Sequence, residues 1–270
     1  MSILRPVSPI SPISQALLAL AVIVMTAVFI EHGSVDVTIS SWFYVEQGRW
    51  LLSKDQFVFS MLFYKLPKWL LIVFGVYLLA TLAWRQFIAD TKFIAATNTM
   101  ADKTMADKTD NSAKSLFGRR DAPIYAPLAN FGQSDILYVF AVLALTPLLV
   151  ATLKSLTHVP CPHELLIFAG DKPYLSLWQD ILSQQRAKCF PAAHASSGFG
   201  LYGLAFVPAL QHKRWRYVIL VSAIGWTMGL YKMMIGDHFF SHTLVSMALA
   251  WFVASGLSAV FFAKKHDIDF

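Results

Sequence analysis

The chain has 270 residues, 56% of them hydrophobic and 14% charged, with a formal net charge of +6 and a pI near 9.3. An ordinary soluble domain carries roughly 25% charged residues, so this composition is that of a membrane protein. The basic residues are scattered among apolar runs and form no stripe or aromatic-interleaved patch, which argues against nucleic acid and for positive-inside topology or an anionic lipid. Two cysteines alone do not decide the redox compartment.

Residues 1–12 are rich in Ser and Pro, and Ile13 to Ile30 is apolar enough for a first spanning helix. It reads as an anchor and not a signal peptide, because Glu31-His32-Gly33 is no small-residue cleavage site. Val35 to Leu66 alternates aromatic and charged residues (Trp42, Phe43, Tyr44, Arg49, Trp50, Lys54), the pattern of an interfacial stretch serving as a lid or packing loop. Pro67 to Trp84 is the second span. From Arg85 to Gln133 the composition turns polar, and within the single domain (1–270) residues 88–133 are expected to form a disordered cytoplasmic loop. This loop holds a tandem repeat, Met100-Ala101-Asp102-Lys103-Thr104 followed by Met105-Ala106-Asp107-Lys108-Thr109, to which no function is assigned.

The third span runs from Ile136 to Leu153, with a kink expected at Pro147. An outer loop, 154–193, leads to a fourth span from His194 to Leu210, and Gln211 to Arg216 is a tight basic turn. Tyr217 to Met234 and Thr243 to Ala263 are the fifth and sixth spans. The fold class expected is therefore all-α, a polytopic bundle of six transmembrane helices. Arg85, Lys213, Arg214, Arg216, Lys264 and Lys265 flank the spans on one side, which puts both termini inside and the 154–193 and 235–242 segments outside. The setting this suggests is a bacterial inner membrane with a periplasmic site.

Three polar islands then share the outer face: Lys154 to His163, Cys189 to Phe199, and Lys232 to His242. Five histidines (His158, His163, His194, His238, His242) lie there. Pro191 suits a helix start, and the free N–H groups after it, from Ala192 to His194, would form an anion site.

The order Lys154-x6-Cys161-Pro162, Pro191-Ala192-Ala193-His194 and Lys232-x5-His238-x3-His242 resembles the three-part signature of the type 2 phosphatidic acid phosphatase superfamily, K-x6-R-P, P-S-G-H and S-R-x5-H-x3-D. The resemblance covers about Ile136 to Ala263. It implies that His238 is the nucleophile, His194 the general acid and His242 the residue that orients His238. Lys154 and Lys232 would clamp the phosphate, helped by backbone N–H groups at Ala193, with no metal and no cofactor. The chain departs from the signature in having Cys161 for arginine, Ala192-Ala193 for Ser-Gly, Tyr231-Lys232 for Ser-Arg and His242 for aspartate. Arg186 or Lys188 could restore the lost positive charge.

The function expected is a membrane phosphatase acting on a lipid phosphate monoester or pyrophosphate through a phosphohistidine. A phosphotransferase of the same fold and a non-catalytic lipid-binding or transport protein are the alternatives. The partners are a phosphorylated lipid and the membrane, with no nucleic acid and no protein partner identified. His238, His242 and His194 could alternatively hold zinc, since His238 and His242 are four residues apart. Gly198, Gly200 and Gly203 are expected to permit close helix packing. Cys161 and Cys189, both outside, are expected to form a disulfide.

Overall fold

The computed structural model describes residues 11–32, 34–102, 128, 130–184 and 186–263. Helix accounts for 77% and strand for 3%. Helix α1 (Pro12–His32) is followed by the short α2 (Val35–Ser41) and an antiparallel hairpin of β1 (Tyr44–Glu46) and β2 (Arg49–Trp50). A helical rod then begins with α3 (Phe57–Ser60), passes a π-helical turn at Met61–Lys65, and continues as α4 (Leu66–Asp102). Next come α5 (Gln133–Thr157), the small α6 (Leu177–Ser183), α7 (Ala193–Phe199), two 3₁₀ segments (Gly200–Phe206 and Pro208–Lys213), α8 (Arg214–Met234) and α9 (Phe240–Phe261).

Five of these stretches are long and apolar enough to cross a membrane, and their composition fits an integral membrane protein. Large apolar side chains such as Leu17, Met25 and Val73 are 61%, 69% and 61% exposed. In a bilayer such groups meet lipid, so the helices are held together by close packing and internal hydrogen bonds.

Three sequence expectations change. The second span starts earlier, at Phe57, and its helix does not stop at Arg85 but runs through Asp102. The stretch from Arg85 to Asp102 has neither Gly nor Pro, so nothing breaks a helix already nucleated inside the membrane. Most of the tandem repeat, from Lys103 onward, and most of the expected polar loop lie outside the described residues. The third span is longer than expected, running from Gln133 to Thr157 with Pro147 inside it.

The fourth span is the largest departure. In place of one regular helix, His194 to Leu210 is a short α-helix, a 3₁₀ stretch and an extended residue at Val207. It is not among the five candidate spans. At 1.5 Å per α-residue and 2.0 Å per 3₁₀ residue, α7 and its continuation reach about 24 Å. This segment is wedged into the middle of the bundle, with Phe199, Tyr202, Ala205 and Phe206 buried.

The glycines explain how it fits. A Cβ on Gly198 would lie 3.0 Å from the Met228 sulfur and 3.1 Å from Gly225 Cα, and one on Gly203 would lie 3.2 Å from Val142 Cβ. Gly225 on α8 is tighter still, since its Cβ would fall 2.3 Å from the Phe199 ring. Across the bundle, Tyr138 on α5 donates to the Ala254 carbonyl on α9 at 2.7 Å.

At the N-terminal end of α9, Asp36 of α2 caps the helix. Its carboxylate accepts from the Ser241 N–H at 3.0 Å and from the Ser241 hydroxyl. Burial raises the Asp36 pKa, and these two bonds oppose the rise. Cys161 and Cys189 are paired in a disulfide with Cα atoms 5.2 Å apart and a sequence separation of 28. Beside it, Cys189 N–H donates to Val159 O at 2.9 Å and the Thr157 hydroxyl to Phe190 O at 2.5 Å. The end of α5 and the entry to α7 are thereby fixed to each other.

Two expectations follow. Gly225→Val should destabilise the detergent-solubilised protein by about 1–3 kcal/mol through overpacking. Gly256→Ala, where nothing lies within 4 Å of an added Cβ, should be close to neutral; equal melting temperatures for both variants would contradict the packing argument. The disulfide should stabilise by ~3–4 kcal/mol in the chain-entropy account. Thiol labelling of the unreduced native protein should detect no free cysteine, and two labelled thiols would rule the bond out.

Candidate active site

The three polar islands converge on one cavity of about 620 Å³ at one end of the bundle. Each arrives from a helix terminus. Lys154 stands in the last turn of α5, which His158 closes in the left-handed conformation at φ 55°. His194 sits in the first turn of α7. Lys232 is in the last turn of α8, and His238 precedes α9. All four side chains line the cavity, with Arg186 and Lys188.

The turn between α8 and α9 is built around Gly236. Its φ of +73° favours glycine, and an added Cβ would fall 2.3 Å from Trp50 Cε2. The Gly236 carbonyl accepts from the His163 N–H at 3.0 Å and lies 2.9 Å from His163 Nδ1. Leu52 N–H donates to Met234 O at 3.1 Å. The hairpin segment and the stretch around His163 therefore hold this turn from two sides.

Past the turn, Asp237 and His238 go separate ways. Asp237 bonds Lys232 Nζ at 2.9 Å and Lys54 Nζ at 2.7 Å, and His163 Nδ1 is 3.6 Å away. Burial pushes the Asp237 carboxyl up, but the charges and hydrogen bonds of Lys232 and Lys54 outweigh it and hold the pKa below its ordinary value. Glu164 is likewise committed, to Lys172 at 2.6 Å and to the Cys161 N–H at 2.7 Å. The carboxylates lining the cavity are therefore occupied by cations, and Lys154, Arg186 and Lys188 add further positive charge.

His238 is 3% exposed and its ring faces that of His194 at 6.5 Å between centroids. Burial first, and then the charges of His242, Lys154, His194 and Lys232, push its pKa well below 6.5. It is a neutral base at neutral pH. Tyr64, from the π-helical turn, packs against two of the lining residues: its ring is 4.7 Å from that of His194 and 4.8 Å from Lys232 Nζ.

Other sequence candidates fall elsewhere. His242 lies behind His238, not in the cavity. Their rings meet edge to face at 5.8 Å, and Nδ1 of each is buried without a hydrogen-bond partner, so the expected bond between them is not formed. Ala193 packs against Val150, Val159 and Phe190, and its carbonyl accepts from Ser196 and Ser197. It does not line the cavity. The Ala192 N–H, expected to face an anion, donates to the His242 carbonyl at 3.2 Å. That bond holds Ala192 at φ −77°, ψ 92°, so the helix begins at Ala193 and Pro191 lies before it.

The three histidines do not come together as a ligand set. Among the described residues the grouping with metal-ligand proximity is Cys161, Glu164 and Cys189, and its two sulfurs are bonded to each other.

Sequence reasoning missed Lys54, Tyr64 and the role of Asp237. The signal available was a lysine and a tyrosine among the aromatic residues of 35–66, and an acid five residues after Lys232. No curated protein and no solved structure matches the chain. Residues 135–266 match the model of the PAP2 superfamily, a stretch that holds all three lysine and histidine islands, and through it the chain belongs to that superfamily.

Proposed function

We propose that the chain is an integral membrane phosphatase that hydrolyses a lipid phosphate monoester or pyrophosphate, with His238 as nucleophile and His194 as general acid. PAP2 superfamily membership supports phosphatase-type chemistry on phosphate esters and a phosphorylated lipid substrate. The observation that carries the finer reading is the His194–His238 pair, 6.5 Å apart across a cavity lined by Lys154 and Lys232.

In this reading a phosphoryl group enters between the two rings. Nδ1 of His238 is buried, which leaves Nε2 to attack. The Nε2 lone pair forms the N–P bond as the bond from phosphorus to the lipid oxygen breaks, and His194 delivers a proton to that oxygen. Water then attacks phosphorus, His194 takes its proton, and the N–P bond breaks to release phosphate. Covalent catalysis divides one hard displacement into two. Lys154 and Lys232 balance the charge on the phosphoryl oxygens as point charges, without the bidentate geometry of arginine. In this reading there are six crossings, counting the broken α7 segment, so both termini share one side; the basic residues flanking the spans support the cytoplasm as that side, with the site facing the periplasm of a bacterial inner membrane.

Purified protein should release inorganic phosphate from at least one member of a panel of phosphatidic acid, phosphatidylglycerol phosphate, isoprenyl pyrophosphate and lipid A. His238→Ala or His194→Ala should lower kcat by at least the roughly 10²–10⁴ of general acid catalysis. Activity should survive a chelator. Loss in chelator with recovery on adding zinc would favour a metal mechanism instead.

A pH profile tests the nucleophile separately. His238 attacks only when neutral and its pKa is lowered, so kcat/KM should fall on the acid side well below pH 6.5. His242→Asp places a carboxylate behind the ring and favours its charged form. The acid limb should then move up in pH while kcat rises. A limb that stays where it was would assign that ionisation to another group, and a fully active His242→Ala would show that His242 holds nothing.

A further inference from the structure

Beside His242, and sharing no lining residue with the first cavity, lies a narrow second cavity of about 10 Å³, on the scale of one water. Tyr174, Asp180, His242 and Asp36 are its polar wall. Asp180 is 2% exposed and His242 1%. Three buried atoms of these residues have no hydrogen-bond partner: Tyr174 Oη, Asp180 Oδ1 and His242 Nδ1. Asp36 is already engaged with Ser241.

The His242 ring is not free to find another partner. Phe190 and Phe239 meet it edge-on at 5.1 and 5.3 Å. Its backbone hydrogen bond is with Cys189. The Cys189 N–H is given to Val159, so the group facing His242 is the Cys189 carbonyl. A bond to a carbonyl requires the proton on that ring nitrogen, which leaves Nδ1 as an acceptor. A water held in this cavity would accept from the Tyr174 hydroxyl and donate to Asp180 Oδ1 and His242 Nδ1.

We propose that Asp180 is a positioning residue for the nucleophile, acting through a buried water and His242 to supply, behind His238, the carboxylate that position 242 lacks. The arrangement fixes the tautomer and angle of the His242 ring, against which His238 is packed. It also places a negative charge where positive charge develops as His238 attacks. Burial raises the Asp180 carboxyl to about 7, so the ionised form is present at neutral pH. The catalytic half of this inference rests on the phosphatase reading above; the link from Asp180 to His242 does not.

The test uses the full chain in detergent, with phosphatidic acid in mixed micelles as the probe. Asp180→Asn keeps the shape and removes the charge. It should lower kcat about tenfold or more, the scale of a lost outer partner, with KM unchanged. In a His242→Asp background, which restores a carboxylate next to His238, Asp180→Asn should have no further effect on kcat. Wild-type kcat in Asp180→Asn overturns the proposal, and so does an equal loss in both backgrounds, which marks a merely structural role. Histidine ¹⁵N spectra, with His242 assigned by its loss in His242→Gln, need no turnover. The His242 Nδ1 resonance should shift in Asp180→Asn, and an unchanged spectrum overturns the link. If the wild type releases no phosphate from this probe or from any other member of the panel above, the phosphatase reading fails while the spectra still decide whether Asp180 acts on His242.

Discussion

The site depends on one tight turn. Gly236 brings the chain round between α8 and α9 with Trp50 pressed against its Cα, and the next two residues leave it in different directions. Asp237 goes to the lysines and His238 to the cavity. A side chain at 236 would collide with the indole and disfavour the backbone conformation as well. Because His163 and Leu52 bond the same turn, its geometry is set by segments far apart in sequence.

The electrostatics follow from that division. Concentrating Lys54, Lys154, Lys232, Arg186 and Lys188 around one cavity raises the repulsion among them, and Asp237 offsets part of it by bridging two. What remains is a net positive enclosure in which a buried imidazole is held neutral. An anion is attracted, and the His238 ring is not lost to protonation. A lysine already paired with a carboxylate is also held in one place, which removes some of the entropy that a flexible four-carbon stem loses on binding.

Much of this was legible in the residues. The three islands were identified by order and spacing, and the structure does bring Lys154, His194, Lys232 and His238 to one cavity. Apolar runs located most of the spans, because length and hydropathy are what a bilayer requires. The broken fourth segment was not legible: its composition is as apolar as a regular helix, and the choice of 3₁₀ geometry lies in contacts with Val142, Leu143 and Gly225. The Ala192 N–H was hidden for a similar reason, since a backbone N–H gives no sign in sequence of which carbonyl it will meet. Lys54 and Tyr64 were hidden because they come from a separate segment, and only folding shows that it reaches the site.

That last point bears on how such a protein diversifies. Lys54, Tyr64 and Trp50 lie outside the stretch that matches the superfamily, yet they pair with, wall and brace residues inside it. The N-terminal half is thus a template laid over the half that matches the superfamily. Exchanging the hairpin and the rod after it would reshape the surroundings of the cavity and alter its charge, with His194 and His238 left untouched.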